Sequence, residues 1–443
     1  MTAPVPALDI RRFIDERPVG RYQLLVALLC GLIVFVDGFD AQAMGFVAPA
    51  LSADLQIARS VLGTVISAGL VGMMVGALVS GPVADRIGRR PVLVACALVF
   101  GAGSLLTATA QSVEGLAAFR ALTGLGMGGA MPNAIALTSE YMPRRRRGTA
   151  VTWMICGFSL GAAVGGFVAA EIIPRFGWEA VFVVGGVAPI LIAGAAFLWL
   201  PDSIRFLVVK GGEDERARRY LQRIAPGVAL PPALSAGVDE DHSGGAFVVR
   251  QLFTERRAAG TVLIWVVYFM NLLNLYFLNS WLPTIISDAG IPVETANRLT
   301  ALFQLGGIGG ALILGAVLDR IFSFWILAGC YLWAAGSVYL IGTAASIPAL
   351  AITITCAGLA IIGGQNACHA VTAEFYPARI RSTGVGWALG IGRIGSIVGP
   401  VVGGLLLAQG TPIGQVFWAA TIPALVASSA AAGVAMAGRG ESK

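Results

Sequence analysis

Residues 140–165, EYMPRRRRGTAVTWMICGFSLGAAVG, and residues 374–399, EFYPARIRSTGVGWALGIGRIGSIVG, are two copies of one pattern. A shift of 234 residues aligns them without a gap and gives ten identities in 26 positions. Composition alone would give roughly two or three identities. The same shift superposes a further loop in each half, with Gly81, Asp85 and Arg86 on Gly315, Asp319 and Arg320. The sequence therefore predicts a duplicated structural unit.

The composition is that of a protein embedded in a membrane. Of its 443 residues, 57% are apolar and only 12% are charged, whereas soluble domains average about 45–50% and about 25%. Charges this sparse cannot cover the surface of a soluble protein of this length, and the apolar content excludes a disordered chain. The six cysteines form no CxxC pair and only two histidines are present. We therefore expect packing thiols, and neither a metal nor an organic cofactor.

Twelve apolar runs are long enough to cross a bilayer as helices, which takes about 20 residues each. They cover roughly 22–47, 60–80, 91–110, 113–138, 148–170, 178–200, 258–283, 296–318, 323–342, 348–370, 382–406 and 413–437. Together with the repeat, they predict an all-α integral membrane protein of twelve transmembrane helices. The helices should form two pseudo-symmetric six-helix bundles, residues 22–200 and 258–437.

The basic residues indicate which side of the membrane holds the termini. With loops assigned alternately, 25 of the 30 Lys and Arg residues lie on the side of the termini, and two lie within spans. The three on the opposite side are Arg59, Arg175 and Arg298. The positive-inside rule then places the tails 1–21 and 438–443 and the charged linker 201–257 in the cytoplasm. The basic excess is thus a topology signal, and no nucleic-acid partner is expected.

Charged residues inside the spans cost about 2.5–3.5 kcal/mol each on insertion scales and therefore need a reason. Asp37 and Asp40 share one face of the first span because they are three residues apart. Arg120 lies roughly 10 Å from the outer end of the fourth span, and Asp40 lies roughly 12 Å from the outer end of the first. One arginine against two aspartates leaves a carboxyl for proton coupling, since a carboxyl in low dielectric beside another binds a proton more readily. A buried ion pair that only fixes helix packing is the alternative.

Arg393 lies near the middle of the eleventh span, roughly 17 Å from its cytoplasmic end. A guanidinium there suits bidentate binding of an anionic substrate. The halves differ at these charges, because the repeat places Asp37 and Asp40 on Asn271 and Asn274. The polar residues that we expect to bind substrate with Arg120 and Arg393 are Asn271, Asn274, Tyr276, Gln304, Gln365 and Asn366; helix packing is the alternative for them. His369, at the cytoplasmic end of the tenth span, is predicted to be a hydrogen-bonded interfacial histidine rather than a proton relay.

The loop after the second span, GPVADRIGRR at residues 81–90, resembles the signature loop of the major facilitator superfamily. Residues 37–51, DGFDAQAMGFVAPAL, and residues 390–395, GIGRIG, resemble the aromatic acid:proton symporters of that superfamily. The resemblance implies uptake of benzoate-type or hydroxybenzoate-type anions with protons across a bacterial inner membrane, with transport roles for Asp37, Asp40 and Arg120. We expect a glycine turn at Gly81 and a charge-based gate formed by Gly81, Asp85, Arg86, Gly88, Arg89, Arg90, Glu140, Asp319, Arg320 and Glu374.

A parallel repeat with a cytoplasmic linker is typical of transporters that rock one half against the other. The leading hypothesis is a monomeric symporter in which protonation of Asp37 or Asp40 accompanies binding of an aromatic carboxylate near Arg393. A proton-driven exporter of drugs or metabolites is the first alternative. A channel or a receptor on a transporter scaffold is less well supported. An enzyme is not expected, because no nucleophile and histidine lie at a common depth.

Overall fold

The chain folds almost entirely into helices. A computed structural model describes residues 8–210, 214–228, 230–231, 234–235, 251–254, 257–318, 320, 323–377 and 380–438. Over these residues there are fifteen helices and one parallel pair of two-residue strands, β1 (Leu8–Asp9) and β2 (Leu234–Ser235). Twelve of the fifteen helices have 18 residues or more, and they coincide with the twelve predicted spans.

The first half contains six long helices preceded and followed by short ones. A short helix, α1 (Ile10–Asp15), comes first. The long helices are α2 (Arg21–Asp54), α3 (Arg59–Ile87), α4 (Arg89–Ala108), α5 (Val113–Tyr141), α6 (Arg144–Phe176) and α7 (Glu179–Trp199). Two short helices follow in the linker, α8 (Ile204–Lys210) and α9 (Asp214–Ile224).

The second half repeats the series of six long helices. They are α10 (Ala258–Asp288), α11 (Val293–Leu318), α12 (Phe324–Ile341), α13 (Ile347–Phe375), α14 (Arg381–Ala408) and α15 (Ile413–Gly438). In the described part of the chain, eleven of the twelve long helices are long and apolar enough to cross a membrane. The twelfth is α5, which carries Glu114, Arg120 and Glu140.

Packing follows the duplication closely. In the first half α2 packs on α6, α3 on α5 and α4 on α7, and in the second half α10 packs on α14, α11 on α13 and α12 on α15. Gly161 touches the Phe35 carbonyl so closely that a Cβ would overlap it, and its repeat partner Gly395 meets the Phe269 carbonyl in the same way. Because glycine has no side chain, the helix backbones can approach closely at these positions. Close backbone approach at small residues is typical of helix association in lipid.

Some of the helices begin at serine residues that satisfy a terminal backbone amide. Ser112 accepts a hydrogen bond from the Gly115 amide at the start of α5, and Ser346 does the same for Ala349 at the start of α13. Between α3 and α4 the chain turns at Gly88, whose φ of 99° is in the region that favours glycine. The expected turn at Gly81 is therefore wrong: α3 continues through Gly81 to Ile87.

The halves meet along α2–α10, α3–α14 and α6–α11. We call the end of the bundle at which α2 begins the terminal end, and the end at which it finishes the far end. The N-terminal segment, predicted as a tail, includes α1, which buries Ile10, Phe13 and Ile14 in one apolar cluster with residues of α8 and α9. The tail 439–443 and linker residues 236–250 lie outside the described residues.

Candidate functional site

Asp40 and Arg120 form an ion pair between α2 and α5. Arg120 Nη1 lies 2.9 Å from Asp40 Oδ2, and the two side chains are 6% and 0% exposed. The Ser104 hydroxyl lies 2.9 Å from the other carboxylate oxygen. The sequence predicts these two opposite charges at similar heights of their helices, and the structure brings them together. Because both are desolvated, removal of either would leave a buried charge without its partner.

Asp37 lies one turn earlier on α2 in a different environment. Its side chain is buried, with the residue 2% exposed, and its Oδ1 has no hydrogen-bond partner among the described residues. The charges acting on it are the repulsive carboxylate of Asp40 and the attractive guanidinium of Arg393. The two aspartates therefore differ: among the described residues, Asp40 has an ion-pair partner and Asp37 has none.

Arg393 brings a cation from the second half to the same region. It is half-buried on α14, and its Nη1 donates a hydrogen bond of 3.2 Å to Met73 Sδ on α3 of the first half. None of the ion pairs formed by the described residues includes Arg393. The neutral sulfur of Met73 balances no charge, so the guanidinium keeps its capacity to bind an anion.

A hydrogen-bonded network joins α10 to α13 beside this cation. Asn271 Nδ2 donates to the Ile361 carbonyl at 3.4 Å and to Gln365 Oε1 at 2.6 Å. The Gln365 amide nitrogen therefore faces His369 Nε2 at 3.2 Å, which must accept its hydrogen. His369 Nδ1 then carries the proton and donates to Tyr268 Oη at 2.9 Å. Both ring nitrogens are hydrogen-bonded, which confirms the prediction of a satisfied histidine.

The other polar residues that we predicted to bind substrate lie at different depths along the bundle. Asn274 is 1% exposed, and neither of its amide atoms has a hydrogen-bond partner among the described residues. Tyr276 and Arg120 line a cavity of about 30 Å³, whereas Asn366 lines a larger one. Gln304 donates to Asn279 Oδ1 at 3.1 Å. The structure thus places Tyr276 near the Asp40–Arg120 pair and Asn366 nearer the terminal end.

The larger cavity separates the halves in the terminal part of the bundle. It measures about 380 Å³ and is lined by α6 from the first half and by α11 and α13 from the second, with Ser159, Asn366 and His369 among its polar residues. The far part is closed instead, since Ser67 Oγ donates to the Ile397 carbonyl across the halves at 2.7 Å. The molecule is therefore open at the terminal end and closed at the far end.

Two ion pairs at the far end join the halves, and sequence reasoning missed both. Arg59 pairs with Asp288, and Arg298 pairs with Glu171. Arg59 and Arg298, with Arg175, are the three basic residues that the sequence places on this side. Because basic residues are so scarce on this side, Arg59 and Arg298 could have been singled out from the sequence as candidates for ion pairs.

The predicted gate residues that the structure describes lie at the terminal end, and none of the ion pairs that they form with other described residues bridges the halves. Arg89 Nε lies 2.8 Å from Glu140 Oε1, and Arg90 donates to the Phe197 carbonyl, all within the first half. The exposed residues are Asp85, Arg86, Arg320 and Glu374, and a Cβ at Gly81 would meet open space. Asp319 lies outside the described residues. Their gating role stays a prediction.

Asp202 is a further residue of this region that the sequence did not single out. Its Oδ1 accepts hydrogen bonds from the amides of Arg89 at 2.9 Å and Arg90 at 3.2 Å, and it lies against Gly88. The Asp202 carbonyl accepts from the Tyr141 hydroxyl at 2.7 Å. The segment after α7 is thus fastened to the start of α4 and the end of α5.

The duplicated twelve-helix architecture with a charged interior defines a secondary transporter, and the comparison with known families agrees. The Major Facilitator Superfamily profile matches residues 30–262 and 264–440, so the chain belongs to this superfamily of transporters and is not an enzyme.

The similar proteins of known function are bacterial transporters. The 4-hydroxybenzoate transporter PcaK of Pseudomonas aeruginosa is 46% identical over 96% of this chain and 95% of that protein. PcaK of Acinetobacter baylyi is 45% identical over 96% and 93%. The gallate transporter of Pseudomonas putida is 38% identical over 96% and 95%.

Solved structures share the fold at low sequence identity. A bacterial homologue of the human lysosomal transporter Spinster, in an inward-facing conformation, superposes with a TM-score of 0.71 at 17% identity, covering 95% of this chain and 98% of that one. The xylose transporter XylE of E. coli, in a partially occluded inward-open conformation, gives 0.69 at 16% identity, covering 93% and 97%.

Proposed function

We propose that this protein imports an aromatic carboxylate together with protons across a bacterial inner membrane by alternating access. The observation that carries the proposal is Arg393, a half-buried cation without a carboxylate partner among the described residues. Similarity to carriers of 4-hydroxybenzoate and gallate supports an aromatic acid as its anion. The carboxylate of such a substrate would meet the guanidinium, and its ring would pack on apolar side chains of the interior.

The charges suggest how a proton and the anion are coupled. Ionised Asp37 repels Asp40 and attracts Arg393, so it competes with a substrate carboxylate for that guanidinium. Protonation of Asp37 removes the competition and raises affinity for the anion. Each unit of pKa shift between loaded and empty states corresponds to about 1.4 kcal/mol, comparable with a pH difference of about one unit. Asp40 already forms an ion pair with Arg120, so of the two aspartates it is the one to which we assign a structural role.

We place the terminal end in the cytoplasm. The support is the excess of basic residues on that side, as the positive-inside rule requires. Both termini are then cytoplasmic, the far end faces the outside, and the described conformation is open to the cytoplasm. Import ends in this state, from which substrate leaves through the 380 Å³ cavity.

Uptake of labelled aromatic acids into proteoliposomes with an imposed pH gradient tests the proposal. Wild-type protein should accumulate 4-hydroxybenzoate or gallate against its gradient. Asp37→Asn should lose accumulation but keep exchange of labelled for unlabelled substrate, because the neutral side chain mimics the protonated state. The matched control Glu114→Gln removes an exposed carboxylate at the start of α5 and should accumulate normally.

Two outcomes would contradict this function. Accumulation by Asp37→Asn at the wild-type level would remove Asp37 from the coupling. Net efflux driven by the pH gradient, with no uptake in the opposite arrangement, would identify the exporter that the sequence leaves as an alternative.

A further inference from the structure

The small cavity lined by Arg120 and Tyr276 lies between the halves, and three methionines form part of its wall. It measures about 30 Å³ and is enclosed by α2, α3 and α5 of the first half and by α10 of the second. Met44, Met73 and Met127 come one from each of the three first-half helices, and all three are buried. Methionine side chains are flexible and polarizable, so this wall can adapt to a bound group.

Met73 connects this cavity with the cation of the second half. Its Sδ accepts the hydrogen bond of 3.2 Å from Arg393 Nη1, and the same residue lines the cavity. A carboxylate oxygen that binds to Arg393 Nη1 therefore lies close to Met73, because the oxygen and the sulfur contact the same nitrogen. In a benzoate-type acid the ring is bonded directly to the carboxylate carbon, so the ring also comes close to Met73.

The side chain of Met73 can move although its backbone is held in place. Gly124 and Gly128 on α5 pack directly against the backbone at Met73, and a Cβ at either glycine would overlap it. The methionine side chain, in contrast, has three rotatable bonds. If it moved away from Arg393, the cavity would grow beyond its 30 Å³. An aromatic ring needs that enlargement, because an enclosed cavity that binds benzene measures about 150 Å³.

The contact between Met73 and Arg393 lies on the open side of the contacts that close the far part. Ser67 on α3 and Ile397 on α14, which join the halves there, lie six and four residues further toward the far end than Met73 and Arg393. These separations correspond to roughly 6–9 Å along the helices. A substrate that enters from the open end would therefore meet Met73 before it met those contacts.

We propose that the methionine-lined cavity is the subsite for the aromatic ring of the substrate, and that Met73 fills it in the empty carrier. When the substrate carboxylate replaces the sulfur at Arg393, the Met73 side chain moves away and the ring takes its space. Contacts between thioether sulfur and aromatic rings are favourable, so the remaining methionines suit a ring. The subsite rests on the proposed function, since it takes the ring of the same aromatic acid. Met73 is then the residue that limits the size of that ring.

Competition against radiolabelled 4-hydroxybenzoate, with full-length protein in lipid nanodiscs at one fixed pH, tests the subsite. The competitors are unlabelled 4-hydroxybenzoate and 6-hydroxy-2-naphthoate, which carries a second fused ring. Wild-type protein should prefer the single ring. Met73→Ala should raise the relative affinity for the two-ring acid roughly tenfold or more, since even one methylene group has an effect of that size in an apolar pocket. Met73→Val removes less volume, should fold more readily, and should give a smaller shift in the same direction.

Two control variants should keep the wild-type preference. Met74→Ala changes the next methionine on α3, which is half-buried and is not among the residues that line the cavity. Met73→Leu conserves the volume of the side chain. An unchanged preference in Met73→Ala and Met73→Val, or an equal shift in Met74→Ala, would overturn the subsite and leave the proposed function intact. Failure of the wild-type protein to bind any of these aromatic acids would contradict the proposed function, and the subsite with it.

Discussion

Asp37 and Asp40 are one helical turn apart, yet their surroundings differ. Asp40 has a guanidinium at 2.9 Å and a hydroxyl at the same distance, whereas Asp37 Oδ1 has neither among the described residues. A guanidinium beside a buried carboxylate compensates its charge, whereas a buried carboxylate without such a partner lacks that compensation. Their partners thus distinguish Asp40, which we propose is structural, from Asp37, which we propose couples the proton.

Substitution of Asp40 should destabilise the protein far more than substitution of Asp37. Asp40→Asn leaves the Arg120 charge buried and unpaired, which costs about 3–5 kcal/mol in comparable sites. Adding Arg120→Gln should recover part of this loss, because the double variant buries no charge. Thermal unfolding in lipid nanodiscs measures the effect, with Asp37→Asn as the control near wild type. Equal destabilisation by the two aspartate variants would contradict the assignment.

At the scale of the helix, close backbone contacts fix how each element is rotated about its axis. Gly161 on α6 packs directly against the Phe35 carbonyl of α2, and Gly124 on α5 packs against the backbone of α3 at Gly69. Their repeat partners make the same contacts: Gly395 packs against the backbone at Phe269, and Gly358 packs against the backbone at Phe303. The duplicated glycines thus produce duplicated packing, and they orient the faces of α2 and α5 on which the charged residues lie.

Gly161→Ala should destabilise the first half by about 1–3 kcal/mol, the usual cost of overpacking. The added methyl group would collide with the Phe35 carbonyl and push α2 away from α6. Gly157→Ala is the matched control one turn earlier, since a Cβ there would lie 3.6 Å from the Gly31 carbonyl, an ordinary contact. Thermal melting of the two variants gives the comparison. A wild-type melting temperature for Gly161→Ala would show that the helices can separate freely.

For the whole molecule, the halves share a scaffold but not their charges. Asp37, Asp40 and Arg120 belong to the first half, and Arg393 enters from the second. Relative motion of the halves therefore changes the distance between Arg393 and the aspartates. At the far end the pairs Arg59–Asp288 and Glu171–Arg298 hold the halves together, and these contacts must break when that end opens.

Linking the halves at the far end should stop transport. In the variant Arg59→Cys with Asp288→Cys, a short reversible methanethiosulfonate cross-linker would hold the far end closed and lower uptake at least tenfold, and a reductant would restore it. The two single-cysteine variants, treated alike, serve as controls for reaction with the six native cysteines. Transport by the linked protein at the wild-type rate would exclude opening of the far end as a step of the cycle.

The sequence determined the duplication, the twelve helices and the identity of the charged residues in lipid, because hydropathy, repeat spacing and charge are local properties that can be read from the chain. It also placed Asp40 and Arg120 at similar heights, since the rise of a helix is constant. Only the tertiary structure decided that Arg120 forms an ion pair with Asp40, whereas Asp37 has no such partner among the described residues. It also decided that Arg393 donates to Met73, and that Arg59 and Arg298 form ion pairs across the far end. These contacts join residues 80 to 320 positions apart. They depend on how each helix is rotated and on which end of the bundle is open, and both are settled by packing between helices.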